Sequence, residues 1–302
     1  MKTSKSPCAI LSFAYKVALQ AVPPYSHRHS RKTYTQPQLL ACLVLKEFLQ
    51  LDYRKLEQVL KNAEDFRRVL GLKSVPHFTT FQKAAKRLLR FPIARRLIRT
   101  TLRVAQQHRR IGHCVRLAAL DATGFESHHA SSYYTRRKRS TQKTKEKRTY
   151  SHFPKAHFVC DTATHLILAV VPEQGPGPDI KQFRSALGQA AKHIRLTALA
   201  ADAGYDSEES HRYARERLGI RSLIPPTTGR PTDKPPSGYW RRKMKAHLKH
   251  SRYRQRSQAE TVNSMIKRLL GSALRARTYG SRFREILLRA LTHNIMIIAQ
   301  PP

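Results

Sequence analysis

Acidic residues are scarce in this chain. Nineteen Asp and Glu stand against 58 Lys and Arg in 302 residues, a formal net charge of +39. Self-repulsion on that scale opposes a compact state unless a polyanion neutralises it. That argues against an ordinary metabolic enzyme and for a partner made of phosphates. Cysteine is also sparse: Cys8, Cys42, Cys114 and Cys160 lie far apart and form no C-x-x-C pair. A zinc knuckle or a disulfide framework is therefore not expected, and a reducing compartment is. No apolar run approaches the roughly 18 residues of a membrane span. The stretch Cys8–Val22 has a faint signal-peptide character, but Lys16 interrupts it. Hydrophobic residues make up 40 %, enough for a core. The expectation is a soluble, cytoplasmic, nucleoid-associated protein.

The texture divides the chain into three. Residues 1–35 read as a basic, irregular arm ending in His27-Arg28-His29-Ser30-Arg31-Lys32. Residues 36–112 read as helical. Leu39, Leu40, Leu43, Val44 and Phe48 recur at helical spacing, as do Tyr53, Leu56, Val59 and Leu60. A helix opening at Thr79 or Thr80 carries Lys83, Lys86, Arg87 and Arg90. Short helices followed by a basic one fit a helix-turn-helix module whose last helix enters the major groove, although a plain bundle with a solvated basic face fits too. Residues 113–302 turn to strands: Val115–Leu120, His157–Cys160, His165–Val171, Leu196–Ala201 and Arg221–Ile224, with helices between the later ones. That order predicts an α/β domain with a mixed sheet, an antiparallel trio joined to parallel strands by helical crossovers. Helices are expected over 251–270 and 282–299. Two dense basic insertions bracket this domain, near 130–150 and 226–250. The first holds Arg137 and Lys138 and the second Arg241 and Arg242. Such runs are usually solvated faces.

Because acids are few, each can be weighed. Asp161 reads as a turn residue, and Asp179 and Asp206 as helix caps. Asp121 and Asp202 differ. Each ends an apolar strand and precedes a small residue, a glycine and an aromatic: Asp121-Ala122-Thr123-Gly124-Phe125 and Asp202-Ala203-Gly204-Tyr205. On neighbouring strands the two carboxylates would stand a few Å apart, which is unfavourable without a cation between them. Oxygen-only ligation suits Mg²⁺ or Mn²⁺. A turn role for each Asp is the plainer alternative.

Glu260 supplies a geometric test. On a continuous helix at about 100° per residue, with Arg256 at zero, Lys267 falls near 20°, Glu260 near 40° and Tyr253 near 60°. Val262, Met265, Ile266 and Leu269 occupy the opposite side. An amphipathic helix explains the two faces. It does not explain why the only acid between Asp233 and Glu285 falls inside a basic stripe.

Tyr253, Arg256, Glu260 and Lys267 fit the pattern Y-x2-R-x3-E-x6-K without a gap. With the two Asp motifs they resemble the DDE transposases of bacterial and archaeal insertion sequences, in the subgroup carrying that signature. The resemblance covers roughly residues 36–298. It implies a ribonuclease-H-like catalytic domain after a helical DNA-binding domain, and two Mg²⁺ (or Mn²⁺) ions held by Asp121, Asp202 and Glu260. It implies DNA contacts from Tyr253, Arg256 and Lys267. The expected partners are transposon terminal inverted repeats and target DNA, with a homodimer or larger assembly on DNA. A ribonuclease-H-fold nuclease or resolvase that does not join ends, and a catalytically dead DNA-binding derivative, are the alternatives. His128, His129, Tyr133 and Tyr134 have no assigned role.

Overall fold

The structure, a computed structural model, describes residues 3–127, 153–227, 235–248 and 250–301. The chain opens with helix, not an irregular arm. Ser6 caps α1 (Pro7–Ala21) by accepting from Ala9 N–H, and Pro7 occupies the first turn. Ile10, Leu11, Ala14, Val17, Ala18 and Ala21 then form a buried stripe at helical spacing. Lys16, which interrupted the apolar stretch, stands on the exposed face over the Phe13 ring. A Ser-Pro start and a 3.6-residue apolar period thus override the basic composition of this segment.

Five more helices follow: α2 (Gln36–Phe48), α3 (Tyr53–Asn62), α4 (Glu64–Leu70), α5 (Phe78–Leu88) and α6 (Phe91–Gln107). A reciprocal capping box between Thr35 and Gln38 starts α2. Asp52 caps α3. The first turn of α5 is satisfied from outside, by Glu57 of α3 accepting from Phe78 N–H.

The sheet has five strands: β1 (Ala118–Gly124), β2 (Phe153–Asp161), β3 (Ile167–Gly175), β4 (Ala198–Ala201) and β5 (Arg221–Leu223). Their order is β3-β2-β1-β4-β5. β1, β2 and β3 pair antiparallel, whereas β4 and β5 run parallel to β1. α7 (Ile180–His193) makes the crossover from β3 to β4, and α8 (Glu208–Arg212) leads from β4 toward β5. This is the mixed sheet that the strand order predicted, in the ribonuclease-H-like form, preceded by a helical region, that the resemblance implied. β1 is longer than expected and runs through Asp121 to Gly124, because β2 supplies partners along its whole length.

Beyond the sheet lie α9 (Tyr239–His247), a short helical segment (His250–Tyr253), α10 (Ser257–Leu270) and α11 (Tyr279–Ile298). A 3-10 turn over Arg254–Arg256 interrupts the helix expected over 251–270. α11 is buried from Ile286 to Ile298 and packs against α2, α6 and β3. A single apolar cluster consequently runs from Ile10 to Ala299, so the helical region and the sheet share one core.

Two expected caps have other partners. The Asp179 carboxylate makes no cap hydrogen bond and pairs with Lys155. Asp206 accepts from Thr227 N–H and from Arg241, while Ser207 caps α8. Asp161 is the turn residue expected, accepting from Ala163 N–H, Thr164 N–H and the Thr164 hydroxyl.

Candidate active site

The parallel register of β1 and β4 pairs Leu120 with Ala201, so Asp121 and Asp202 follow side by side where β4 ends. Asp202 then turns the chain, its carboxylate accepting from Ala203 N–H. Burial raises the Asp121 pKa and nearby Arg256 lowers it; the charges of Glu260 and Asp202 add to the upward push, leaving it above its ordinary value. Asp121 therefore senses the charge of both other acids.

α10 lies across β1 and brings Glu260 to the same place in its first turn. A pocket of about 570 Å³ is lined by Asp121, Glu260, Asn263, Lys267 and Ser272 among others. Arg256 stands between two of the acids: it bonds Glu260 at 2.5 Å and lies 3.8 Å from Asp121 Oδ1. Lys267 sits over the Phe125 ring at the pocket wall.

Tyr253 keeps to the Arg256 side of the stripe. The 3-10 turn advances about 120° per residue instead of 100°, which over three residues moves Tyr253 from near 60° into line with Arg256. Its ring packs on Leu117, Ala198, Ala200 and Leu223 of the sheet. Burial raises its pKa, and the Asp202 and Glu260 charges push the same way.

Three groups escaped the sequence reading. Asn263 donates to Asp121 Oδ2 at 2.8 Å. It lies one turn after Glu260 on the same helix face, so the wheel that singled out Glu260 contained it. Tyr205 of the second Asp motif bonds buried His157 at 2.7 Å, and Glu173 holds the other ring nitrogen at 2.8 Å. Burial keeps the His157 pKa below its usual value, so the ring is neutral at pH 7. Asp206 ties that motif to α9 through both Arg241 Nε and Nη2. These links join strands distant in sequence, and no local spacing announces them.

A family model described as "Transposase DDE domain" matches residues 112–295, and one described as "Transposase domain (DUF772)" matches residues 12–87. The first covers more than half of the chain. The chain belongs to the DDE transposase family. None of the curated proteins matches it. The transposase is thus an enzyme of the polynucleotidyl transferase and endonuclease kind, acting on DNA. Among the described residues, no helix is long and apolar enough to cross a membrane.

The family is generally dependent on divalent metal, and the site's chemistry fits such an ion. All three acids offer hard oxygen donors. The Asn263 Oδ1 atom, beside Asp121, is buried without a hydrogen-bond partner. The arrangement is not closed, however: among the described residues, no three His, Cys, Asp or Glu side chains are grouped to hold a metal. A guanidinium occupies the space between Asp121 and Glu260 instead. Of the other cations expected on DNA, Lys83 and Lys86 are exposed on α5, Arg87 is half-buried, and Arg242 is exposed on α9. Arg241 is engaged by Asp206. Arg137, Lys138, His128, His129, Tyr133 and Tyr134 lie outside the described residues.

Proposed function

We propose that Asp121, Asp202 and Glu260 carry two-metal phosphoryl transfer at the ends of a mobile element. The observation that supports this reading is that Asp121 of β1 and Glu260 of α10 line one pocket, with Asp202 following β4 on the neighbouring strand. In the first step water attacks a phosphodiester at the element's end, breaking the P–O3′ bond and releasing a 3′-hydroxyl. In the second, that hydroxyl attacks a target phosphodiester and displaces the target's own 3′-oxygen. Two Mg²⁺ or Mn²⁺ ions held by the three acids would activate the attacking oxygen and stabilise the leaving one. Asn263 fixes the Asp121 carboxylate by its hydrogen bond. Arg256 and Lys267 bind the phosphates, and Arg256 leaves its two carboxylates when it does so. Tyr253 supports the end from the sheet side. Two ends cut and joined together call for a homodimer or larger assembly on DNA.

Asp121→Asn, Asp202→Asn and Glu260→Gln each test the triad. Each should lower Mg²⁺-dependent cleavage more than about 100-fold while end binding persists. Full cleavage by any of them sinks the assignment. Strand-transfer product on a plasmid target separates a transposase that joins from a nuclease that only cuts.

A further inference from the structure

Positive charge that the catalytic pocket does not use collects in a second place. A groove of about 750 Å³ runs between α5 and the loop and first turns that open α11. Lys83 and Lys86 line one wall, and Arg275, Arg277 and Arg284 the other. The acids in its lining are already engaged. Glu47 pairs with Arg289 and Lys46, Asp52 caps α3, and Glu285 accepts from Arg289 and from the backbone of Arg275 and Ala276. No ion pair among the described residues involves Lys83, Lys86, Arg277 or Arg284. A concave surface with cations on both walls and its carboxylates engaged within the fold is complementary to a polyanion.

The groove follows the proposed catalytic pocket closely along the chain. Ser272 lines that pocket and Arg275 lines the groove, three residues later. Three residues of chain span at most about 11 Å. Phosphates on one strand of a duplex advance about 3.4 Å each along the axis. The rim of the pocket and a wall of the groove are thus joined by a short span of chain, on the scale of a few phosphate spacings.

We propose that this groove grips the sugar-phosphate backbone of duplex DNA next to the cleavage site, with Lys83, Lys86 and Arg277 as phosphate contacts. The proposal rests on the transposase reading in taking duplex DNA as the polyanion. It gives α5 a different part from a recognition helix. Its lysines hold backbone jointly with residues some 190 positions later, and such contacts set register without reading sequence.

The test is binding of the full chain to a fluorescent linear duplex in EDTA, across a salt series. Each phosphate contact contributes about 0.9 to the slope of log K against log salt. The triple variant Lys83→Gln/Lys86→Gln/Arg277→Gln should lose close to 3 from that slope. Removing the same kind of charge outside the groove, in Lys192→Gln/Arg195→Gln, should leave it unchanged. A triple variant with the wild-type slope, a control that loses as much per removed charge, or a wild-type chain that binds no duplex overturns the proposal. Thermal melting confirms that each variant is folded. Cleavage plays no part in this readout, so a wild-type chain that binds with the expected slope yet never cuts would refute the catalytic reading and leave the groove standing.

Discussion

At the scale of single residues, burial decides which charges the chain tolerates. His293 is wholly buried on α11, and its Nε2–H donates to the His165 carbonyl at 3.0 Å. Desolvation pushes its pKa down to about 4. The folded state then binds fewer protons than the unfolded one between about pH 6.5 and 4. The neutral ring's contribution is complete above that window and is lost as pH falls through it. By pH 5 this one group should cost about 2 kcal/mol of stability. Urea unfolding at pH 7 and pH 5 checks it: His293→Leu should lose less on acidification than the wild type. An identical loss would refute the assignment. Asp121 and Asn263 make a related point. The first was legible because acids are so rare here. The second, a neutral amide, stood out only once a carboxylate was found 2.8 Å away.

At the scale of elements, one buried cation fastens α11 to α2. Arg289 is 2 % exposed, and its guanidinium donates to Glu47, Glu285 and the carbonyls of Gly271 and Ala273. Removing one partner from such a network leaves unpaired buried charge, at a cost of about 3–5 kcal/mol. Arg289→Ala should lower stability by that amount. Arg289→Lys should not restore it, because an ammonium cannot reach four acceptors in a plane. Denaturant titration of the three proteins decides this, and a fully stable lysine variant would contradict it. The periodicity of α3 and α5 was readable because each buries one stripe, whereas α2 is buried nearly all round from Leu39 to Leu45. α1 was equally periodic, yet its basic surroundings hid the Ser6-Pro7 start. The interruption at Arg254–Arg256 had no local signal, since the residues there are ordinary helix formers.

At the scale of the whole molecule the net charge is +39, and among the described residues cations line both the candidate active-site pocket and the basic groove. Association with DNA should weaken steeply with salt. On terminal-repeat DNA, the transposase should sediment as a dimer or larger species. A strictly monomeric complex at saturating repeat DNA would rule out synapsis by this chain alone. The sequence by itself determined the mixed α/β architecture, through strand periodicity and order, and singled out the three acids proposed for catalysis, because rare residues in fixed contexts carry information without coordinates. Only the tertiary structure decided that the helical region shares its core with the sheet, that Arg256 stands between Asp121 and Glu260, and that Lys83 faces Arg277 across a groove. Those relations join residues far apart along the chain, and their closeness comes from long-range packing of α11 and α10, which no local period encodes.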